Sequence, residues 1–320
     1  MITVVIPYFQ RSAGVLRRAL ASVAAQRNCP LPIHVIVVDD ASPVPPDEEI
    51  ASAGLPDSIG ITLIRQVNGG PGAARNSGLN AVPEPTRFIA FLDSDDEWSA
   101  EHLARAVAAL EHGFDFYFAD HYQLDQSVGA FERGGRIKLS NHEALTGAPK
   151  NLFAYSGDLF DQVLRGNVIG TSTVVYRWAA LSSLRFRPEF TTAGEDYLFW
   201  MAISRHGARA TFSTQIEATY GKGVNVYAGS VWGTENHLLR IHQELRYRRA
   251  VGQTFSLNAV QKLHIRQEIG RLRMAFARDA IHRLRHLKGF PEGLLLKHAK
   301  LDPMALITIP WSLVRILIRR

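Results

Sequence analysis

"FIAFLDSDDEW", residues 88–98, carries an apolar run straight into acids, with Asp93, Asp95, Asp96 and Glu97 inside five positions. Phe88 to Leu92 reads as a buried strand, so the acids fall at its carboxyl end. Like charges packed this closely repel one another unless water screens them or a divalent ion is bound nearby. A solvated strand end leading into a helix cap would account for an arbitrary acidic cluster equally well. The rest of the chain has to separate these alternatives.

Upstream, strand and helix signals alternate. "ITVVIPYF" (2–9) is a β-rich run, and "AGVLRRALASVAAQ" (13–26) sets Val15, Leu16, Ala19, Leu20 and Val23 at helical spacing. "IHVIVVDDAS" (33–42) is a second buried strand, ending in Asp39 and Asp40. "GITLIRQV" (60–67) reads as a third strand, "GPGAARNSGLNAV" (70–82) as a glycine turn entering a helix, and "TRFIAFLDSDD" (86–96) as a fourth strand. Near-continuous apolar strands separated by amphipathic helices predict an α/β fold with a mostly parallel sheet covered on both faces. Ligands of such sheets sit beyond the carboxyl ends of the strands, where Asp39, Asp40, Asp93 and Asp95 fall.

Further on, "FDFYFADHY" (114–122) is an aromatic strand, "GTSTVVYRWAAL" (170–181) a strand running into a helix, and "AGEDYLFWMAISRHG" (193–207) a loop opening a helix that Gly207 ends. No fixed-period repeat is present, which sets solenoid folds aside. A hydrophobic content of 46% with 9% aromatics in 320 residues supports a sizeable core and excludes global disorder. Cys29 stands alone, so neither an intrachain disulfide nor a cysteine-rich zinc site can form. "MITVVIPYF" enters a strand pattern at once with no leader-peptide signature, and a cytoplasmic location is expected.

The net charge of +6 conceals an asymmetry: Lys and Arg against Asp and Glu number 19 and 25 in residues 1–235, but 17 and 5 in residues 236–320. Such a basic block suits an anionic partner, although a charge run is commonly a solvated helix face. The same region is helical, with Ile265, Ile269, Leu272, Phe276, Ala280, Leu284 and Leu287 forming one stripe and Arg266, Arg273 and Arg278 mostly off it. The final run "MALITIPWSLVRILI" (304–318) reaches only about 22 Å as a helix, short of a hydrocarbon core of about 30 Å. Pro310 and Arg315 interrupt it. It is expected to lie on a membrane or against its own protein rather than cross.

Five motifs in order now answer the opening question: "VVIPYF" (4–9), "VVDDAS" (37–42), "NGGPGAARNSG" (68–78), "FLDSDDEW" (91–98) and "GEDYLFW" (194–200). Over roughly residues 1–230 the chain resembles the family-2 glycosyltransferases, inverting enzymes of the nucleotide-sugar-binding GT-A fold. The resemblance implies a donor site at Pro7, Tyr8, Asp39 and Asp40, with Asp40 accepting a hydrogen bond from the pyrimidine N–H. It implies that Gly72 and Arg75 serve the nucleotide, with Asn76 supporting the loop. The turn exposes backbone N–H groups at a helix N-terminus, a geometry suited to anions. Gly70, Gly72 and an acid further on imitate a dinucleotide fingerprint, but the imitation follows the third strand rather than the first.

"DSD" at 93–95 matches the family's Asp-X-Asp motif. The resemblance makes Asp95 the main ligand of Mn²⁺ or Mg²⁺, Asp93 a ligand at the ribose and metal edge, Ser94 part of the donor site, and Asp96 a support. Asp196 is implied as the catalytic base, with Glu195 as fallback; a helix N-terminus favours the ionised form that a base needs. Trp98 is a candidate for the acceptor site. One departure stands out. Many family members carry a metal-binding histidine shortly after a tyrosine downstream of the base, whereas here Tyr220 is followed by Gly223 at that place, leaving Asn225, His237 or water as the third ligand.

"YGKGVNVYAGS" (220–230), with "VVDDASPVPP" and "LRRALASVAAQ", looks like bacterial exopolysaccharide glucosyltransferases of the succinoglycan type. That likeness implies a UDP-glucose donor and an undecaprenyl-diphosphate-linked glycan acceptor at the inner face of the cytoplasmic membrane. The expected organisation is a GT-A catalytic domain over 1–235, with a donor half to about 112 and an acceptor and base half beyond, then a basic helical membrane-associating region over 236–320. A homodimer is the alternative use of those helices, and no nucleic-acid recognition module is found. The rival functions are a phosphotransferase using Asp93 as nucleophile and a nucleotide-binding scaffold without turnover.

Overall fold

Every residue of Ile2–Tyr8 is buried, as a strand flanked on both edges and covered on both faces must be. The structure, a computed structural model, describes residues 1–192, 194–224 and 229–307. The chain divides into two compact units, Met1–Thr191 with Glu195–Val224, and Thr192–Gly194 with Asn225–Arg320.

In the first unit the strands are, in chain order, β1 (Ile2–Tyr8), β2 (Ile33–Asp39), β3 (Gly60–Arg65), β4 (Phe88–Phe91), β5 (Glu97–Trp98), β6 (Phe116–Tyr122), β7 (Glu143–Ala144), β8 (Leu152–Ala154), β9 (Val175–Arg177) and β10 (Ala210–Thr219). They form one sheet in the order β3-β2-β1-β4-β9-β6-β10-β8-β7, with β5 paired to β10. β3, β2, β1 and β4 are mutually parallel, and so are β6 and β10. β9 slots between β4 and β6 antiparallel to both. This is the α/β, mainly parallel sheet expected of a GT-A fold, with antiparallel pairs added on the β6–β10 side.

The chain leaves β1 for β2 and β3 and then returns to β1's other edge as β4, so the strand order reverses at β1. That is where α/β sheets open a crevice beyond their strand ends. Helix Val15–Ala24 buries Leu16, Ala19, Leu20 and Val23 in one cluster with Val4, Ile6 and Tyr8, each large side chain contributing up to about 1.5–3 kcal/mol. On the opposite face, helix Pro71–Asn80 presses so closely that a Cβ on Gly78 would lie 2.5 Å from Val5 Cγ1.

A buried polar knot ties β10 to its neighbours. Glu217, 1% exposed, accepts from the Tyr117 hydroxyl at 2.7 Å and from Arg105 Nε at 2.8 Å, and pairs with His102 Nδ1 at 2.9 Å. Three partners keep this carboxylate from being an unpaired buried charge.

The second unit is helical: Glu235–Thr254, Ala259–Arg285 and Leu294–Leu301. Leu238, Ile241, Leu245, Leu272, Phe276, Ala280 and Leu294 form its core. Leu284 is half exposed, and Leu287 is 95% exposed beyond the helix end, so the apolar stripe read from the sequence fails at its last two members. Arg283 is buried instead, because its guanidinium donates to the carbonyls of Gly233 and Gly289. None of the described helices is long and apolar enough to cross a membrane. Residues 308–318 of the terminal apolar run, with Pro310 and Arg315, lie outside the described residues.

Candidate active site

The carboxyl ends of β2 and β4 bring Asp39, Asp40 and the 93–96 acids to the edge of the sheet. Asp40 is 3% exposed and its side chain is taken up by the glycine turn: Oδ1 accepts from Gln66 Nε2 at 2.7 Å and Gly69 N at 2.8 Å, and Oδ2 from Gly70 N at 2.8 Å. Gly70 has φ +83°, a backbone state glycine adopts without strain, and a Cβ there would meet Thr191 at 3.1 Å. Asp39 is less occupied. Its Oδ1 accepts from Ser42 N at 2.8 Å, while Oδ2 has Arg65 Nε at 3.9 Å.

Tyr8, expected at the donor site, lies in the core with Leu16 and donates its hydroxyl to Glu49 at 3.2 Å. Burial and the Glu49 charge push that phenol's pKa up, so it stays a donor. Pro7 is buried beside it in β1. Gln10, just past the strand, donates from Nε2 to Ser94 Oγ at 3.1 Å and from its backbone N–H to Ser42 Oγ at 2.8 Å. It links the strand end to the Asp-Ser-Asp turn.

Arg75 projects from helix Pro71–Asn80 with its side chain 4% exposed. Nη2 donates to Asp93 Oδ1 at 2.6 Å, Nη1 lies 3.5 Å from Glu195 Oε1, and the guanidinium packs over Phe186 at 5.3 Å. Nε and Nη1 are buried without a hydrogen-bond partner among the described residues. Burial works to lower the arginine's pKa, but the Asp93 and Glu195 carboxylates outweigh it and hold it above its usual value. Asn76 makes a two-way bond with the Phe186 backbone, 2.8 Å each way. Gly72 is open enough that a Cβ would meet only ordinary contacts with Phe186 and Glu195.

The remaining acids of the cluster are held by backbone N–H groups and by the Ser172 hydroxyl. Asp96 Oδ2 accepts from Ser172 Oγ at 2.5 Å and Oδ1 from Gly221 N at 3.0 Å. Asp95 Oδ2 accepts from Gly223 N at 2.8 Å. Ser172 also accepts from Asp93 N at 3.0 Å, and its carbonyl accepts from Trp98 Nε1 at 2.5 Å. Trp98 is therefore core, 6% exposed and facing His102, rather than an acceptor platform. Burial first, then the Asp93 charge, raises Asp95 to about 6, and the same causes with Asp95 added push Asp96 well up.

Helix Glu195–Arg205 opens with the remaining two acids. Glu195 is buried and its pKa is raised, by burial foremost, against the pull of Arg75. Asp196 is half-buried as a residue with an enclosed carboxyl group, raised to about 7 by burial, then by the Glu195 charge. Its Oδ1 accepts from Tyr197 N at 2.8 Å. Acids from the end of β4 and from residues 195–196 thus share one neighbourhood around Arg75.

Asp93 and Asp95 offer hard oxygen donors, which suits a divalent cation held by one or two carboxylates plus phosphate and water. Among the described residues no group of three or more His, Cys, Asp or Glu side chains is arranged to hold a metal by itself. A Cβ on Gly223 would lie 2.4 Å from Asp95 Oδ2, so a side chain there would have to displace the Asp95 carboxylate. His237 pairs through Nδ1 with Asp279 at 2.6 Å inside the helical unit, and Asn225 lies outside the described residues.

Sequence reasoning missed Ser172, Gln10, Phe186 and Glu217. Each acts through partners far away in the chain, and no local motif flags them.

Residues 3–171, just over half of the chain, match Glycosyl transferase family 2. The succinoglycan biosynthesis protein ExoW of Rhizobium meliloti (strain 1021) is 37% identical over 230 residues, 71% of this chain and 70% of that protein. The structure is similar to that of S. aureus TarS 1–349 in complex with UDP-GlcNAc, with a TM-score of 0.56 and 20% identity over 89% of this chain and 72% of that one. It is also similar to the mannosyltransferase PcManGT from Pyrobaculum calidifontis in complex with GDP-Man and Mn²⁺, with a TM-score of 0.56 and 14% identity over 99% of this chain and 86% of that one. By the family match and the relative at 37% identity, this chain belongs to glycosyltransferase family 2.

Proposed function

We propose that the protein is a metal-dependent, inverting glycosyltransferase that moves a sugar, glucose from UDP-glucose in the first instance, onto a lipid-linked oligosaccharide in bacterial exopolysaccharide synthesis. The observation that carries this reading is the span of Arg75 between Asp93 and Glu195, which joins the donor acids to the acids of residues 195–196. Membership of the family sets the phosphotransferase reading aside. Asp93 is in any case a poor nucleophile while Arg75 holds it at 2.6 Å.

Asp39, with one oxygen open, takes over from Asp40 as the reader of the pyrimidine N–H. Asp40 shapes the glycine turn whose N-terminal backbone faces the diphosphate. Asp95, with Asp93, would hold Mn²⁺ or Mg²⁺, and the cation would offset charge on the departing diphosphate. Asp196 takes the acceptor hydroxyl's proton; a pKa of about 7 suits a base working near neutrality. The charges of Glu195 and Arg75 act in opposite directions on how readily Asp196 ionises, the first raising and the second lowering its pKa.

The catalytic domain is taken as residues 1–235 and the basic helical region as 236–320. The exopolysaccharide setting rests on the succinoglycan relative and the lipid-linked acceptor on the motif likeness. Contact with the inner membrane face rests on the charge of residues 236–320 and on exposed Leu296, Leu306 and Ile307. A panel of nucleotide sugars with Mn²⁺ or Mg²⁺, scored for nucleoside diphosphate release, tests the reading against Asp196→Asn. The expected result is one preferred UDP-sugar, with transfer lowered by about 10²–10⁴-fold in the variant and UDP binding intact. A fully active variant would move the base elsewhere.

A further inference from the structure

Between Asp96's partner Gly221 and Asp95's partner Gly223 stands one residue with a side chain, Lys222. We propose that Lys222 is a catalytic residue whose ammonium group binds the diphosphate of the nucleotide sugar and stabilises it as it leaves, doing at this position part of the work for which no metal-binding histidine is available. The proposal rests on the glycosyltransferase reading above and concerns the same site.

The backbone on both sides of Lys222 is fastened to the acid cluster, at 3.0 Å to Asp96 Oδ1 and 2.8 Å to Asp95 Oδ2. It comes as near as a main chain can. A Cβ on Gly221 would lie 1.7 Å from the Asp95 carbonyl oxygen, and one on Gly223 2.4 Å from Asp95 Oδ2. Glycine is therefore required on either side, and the segment anchors the backbone of one long cationic residue beside the carboxylates assigned to the metal.

The Lys222 side chain is 72% exposed and pairs with Asp125 at 3.2 Å, itself 70% exposed. An ion pair this open to water is weak, so the ammonium group can exchange Asp125 for a better anion. A diphosphate entering beside Asp93 and Asp95 is such an anion. The buried cation Arg75 is already engaged by Asp93 and faces Glu195. Lysine suits the exchange because its charge sits on a flexible four-carbon stem with rotatable donors.

In the transfer step the acceptor oxygen forms its bond to the anomeric carbon as the bond from that carbon to the diphosphate oxygen breaks. The breaking bond's electron pair stays on the diphosphate, and the acceptor proton passes to Asp196. Lys222 keeps its protons and gives hydrogen bonds to the oxygens that gain charge, which places stabilisation where the transition state needs it.

The test compares the full chain with Lys222→Ala, Lys222→Arg and Asp125→Asn. UDP binding is titrated by calorimetry with Mn²⁺ and again in EDTA, alongside kcat and KM on the preferred nucleotide sugar. Lys222→Ala is expected to weaken UDP about tenfold in both titrations and to lower kcat by about 10–100-fold, with an unchanged melting temperature because the residue is exposed. Lys222→Arg should recover most of the UDP affinity, and Asp125→Asn should keep kcat at or above that of the parent. Parent-like UDP affinity and kcat in Lys222→Ala would overturn the inference while leaving the glycosyltransferase reading intact. A parent protein that neither binds UDP nor releases it from any nucleotide sugar would overturn both.

Discussion

Asp40 Oδ2 accepts the Gly70 backbone N–H at 2.8 Å, and this bond, with those from Gly69 and Gln66, makes the second acid of the pair a structural support for the glycine turn. Asp39, its neighbour, accepts from Ser42 N through Oδ1 and has Arg65 Nε 3.9 Å from Oδ2. Hydrogen bonds to a buried charge contribute about 1.5–3 kcal/mol each. Asp40→Asn should therefore lower unfolding free energy by about 1–3 kcal/mol and weaken UDP as a consequence. Asp39→Asn should weaken UDP with little change in stability. Denaturant unfolding beside calorimetry separates the two, and the opposite pattern would restore Asp40 as the base reader.

Gly223 is the position where many family members place a histidine, yet its missing side chain is what lets the main chain reach Asp95. Restoring the family residue should be harmful here. Gly223→His is expected to reduce Mn²⁺-supported UDP affinity by at least about tenfold, since one metal-facing carboxylate must shift to admit the ring. A variant with improved metal affinity would show that the segment can reopen.

Four raised carboxyl groups, Asp95, Asp96, Glu195 and Asp196, make the site sensitive to pH. Asp95 at about 6 and Asp196 at about 7 stand above their ordinary range, and Asp96 is pushed up with them. A carboxyl whose folded-state pKa exceeds its unfolded value holds more protons when folded, so stability falls as pH rises from the unfolded pKa through the folded one. For Asp95 and Asp196 the window runs from about pH 4 to about pH 7. The metal-free protein should accordingly melt lower at pH 7.5 than at pH 5, and Mn²⁺ should raise the melting temperature more at the higher pH. Over the same window kcat/KM should climb as Asp196 ionises. A flat profile on both measures would show that these acids titrate normally.

Leu296 is 63% exposed, Leu306 64% and Ile307 63%, in a region that also carries Lys297 and Lys300. Apolar side chains flanked by lysines suit an anionic bilayer surface. Flotation with liposomes containing anionic lipid should carry the intact chain upward and leave behind a chain ending at Pro303. Equal partitioning of the two would remove the tail from any role in membrane contact.

The first four strands and helix Val15–Ala24 were legible because burial on both faces writes long apolar runs, and a one-sided helix writes a stripe. Asp39, Asp40, Asp93 and Asp95 could be placed for the same reason, since strand ends are where these runs stop. The bonds from Gln66, Gly69 and Gly70 to Asp40 were not legible, because they depend on which carboxylate the glycine turn folds onto. Ser172 escaped notice as well. Its hydroxyl connects Asp93 to Asp96 across more than seventy residues of chain, and nothing near "GTSTVVYR" announces it. The fate of Leu284 and Leu287 was hidden for a different reason: periodicity gives the face of a helix but not where its partner ends.

Arg75 gives the two halves of the chemistry a common hinge. A cation that drew Asp93 away would leave the guanidinium facing Glu195 alone, and a guanidinium that offset the Glu195 charge would ease the ionisation of the neighbouring Asp196. Loading the sugar donor would in this way prime the proton acceptor. The kinetic signature is a compulsory order of addition, nucleotide sugar before glycan.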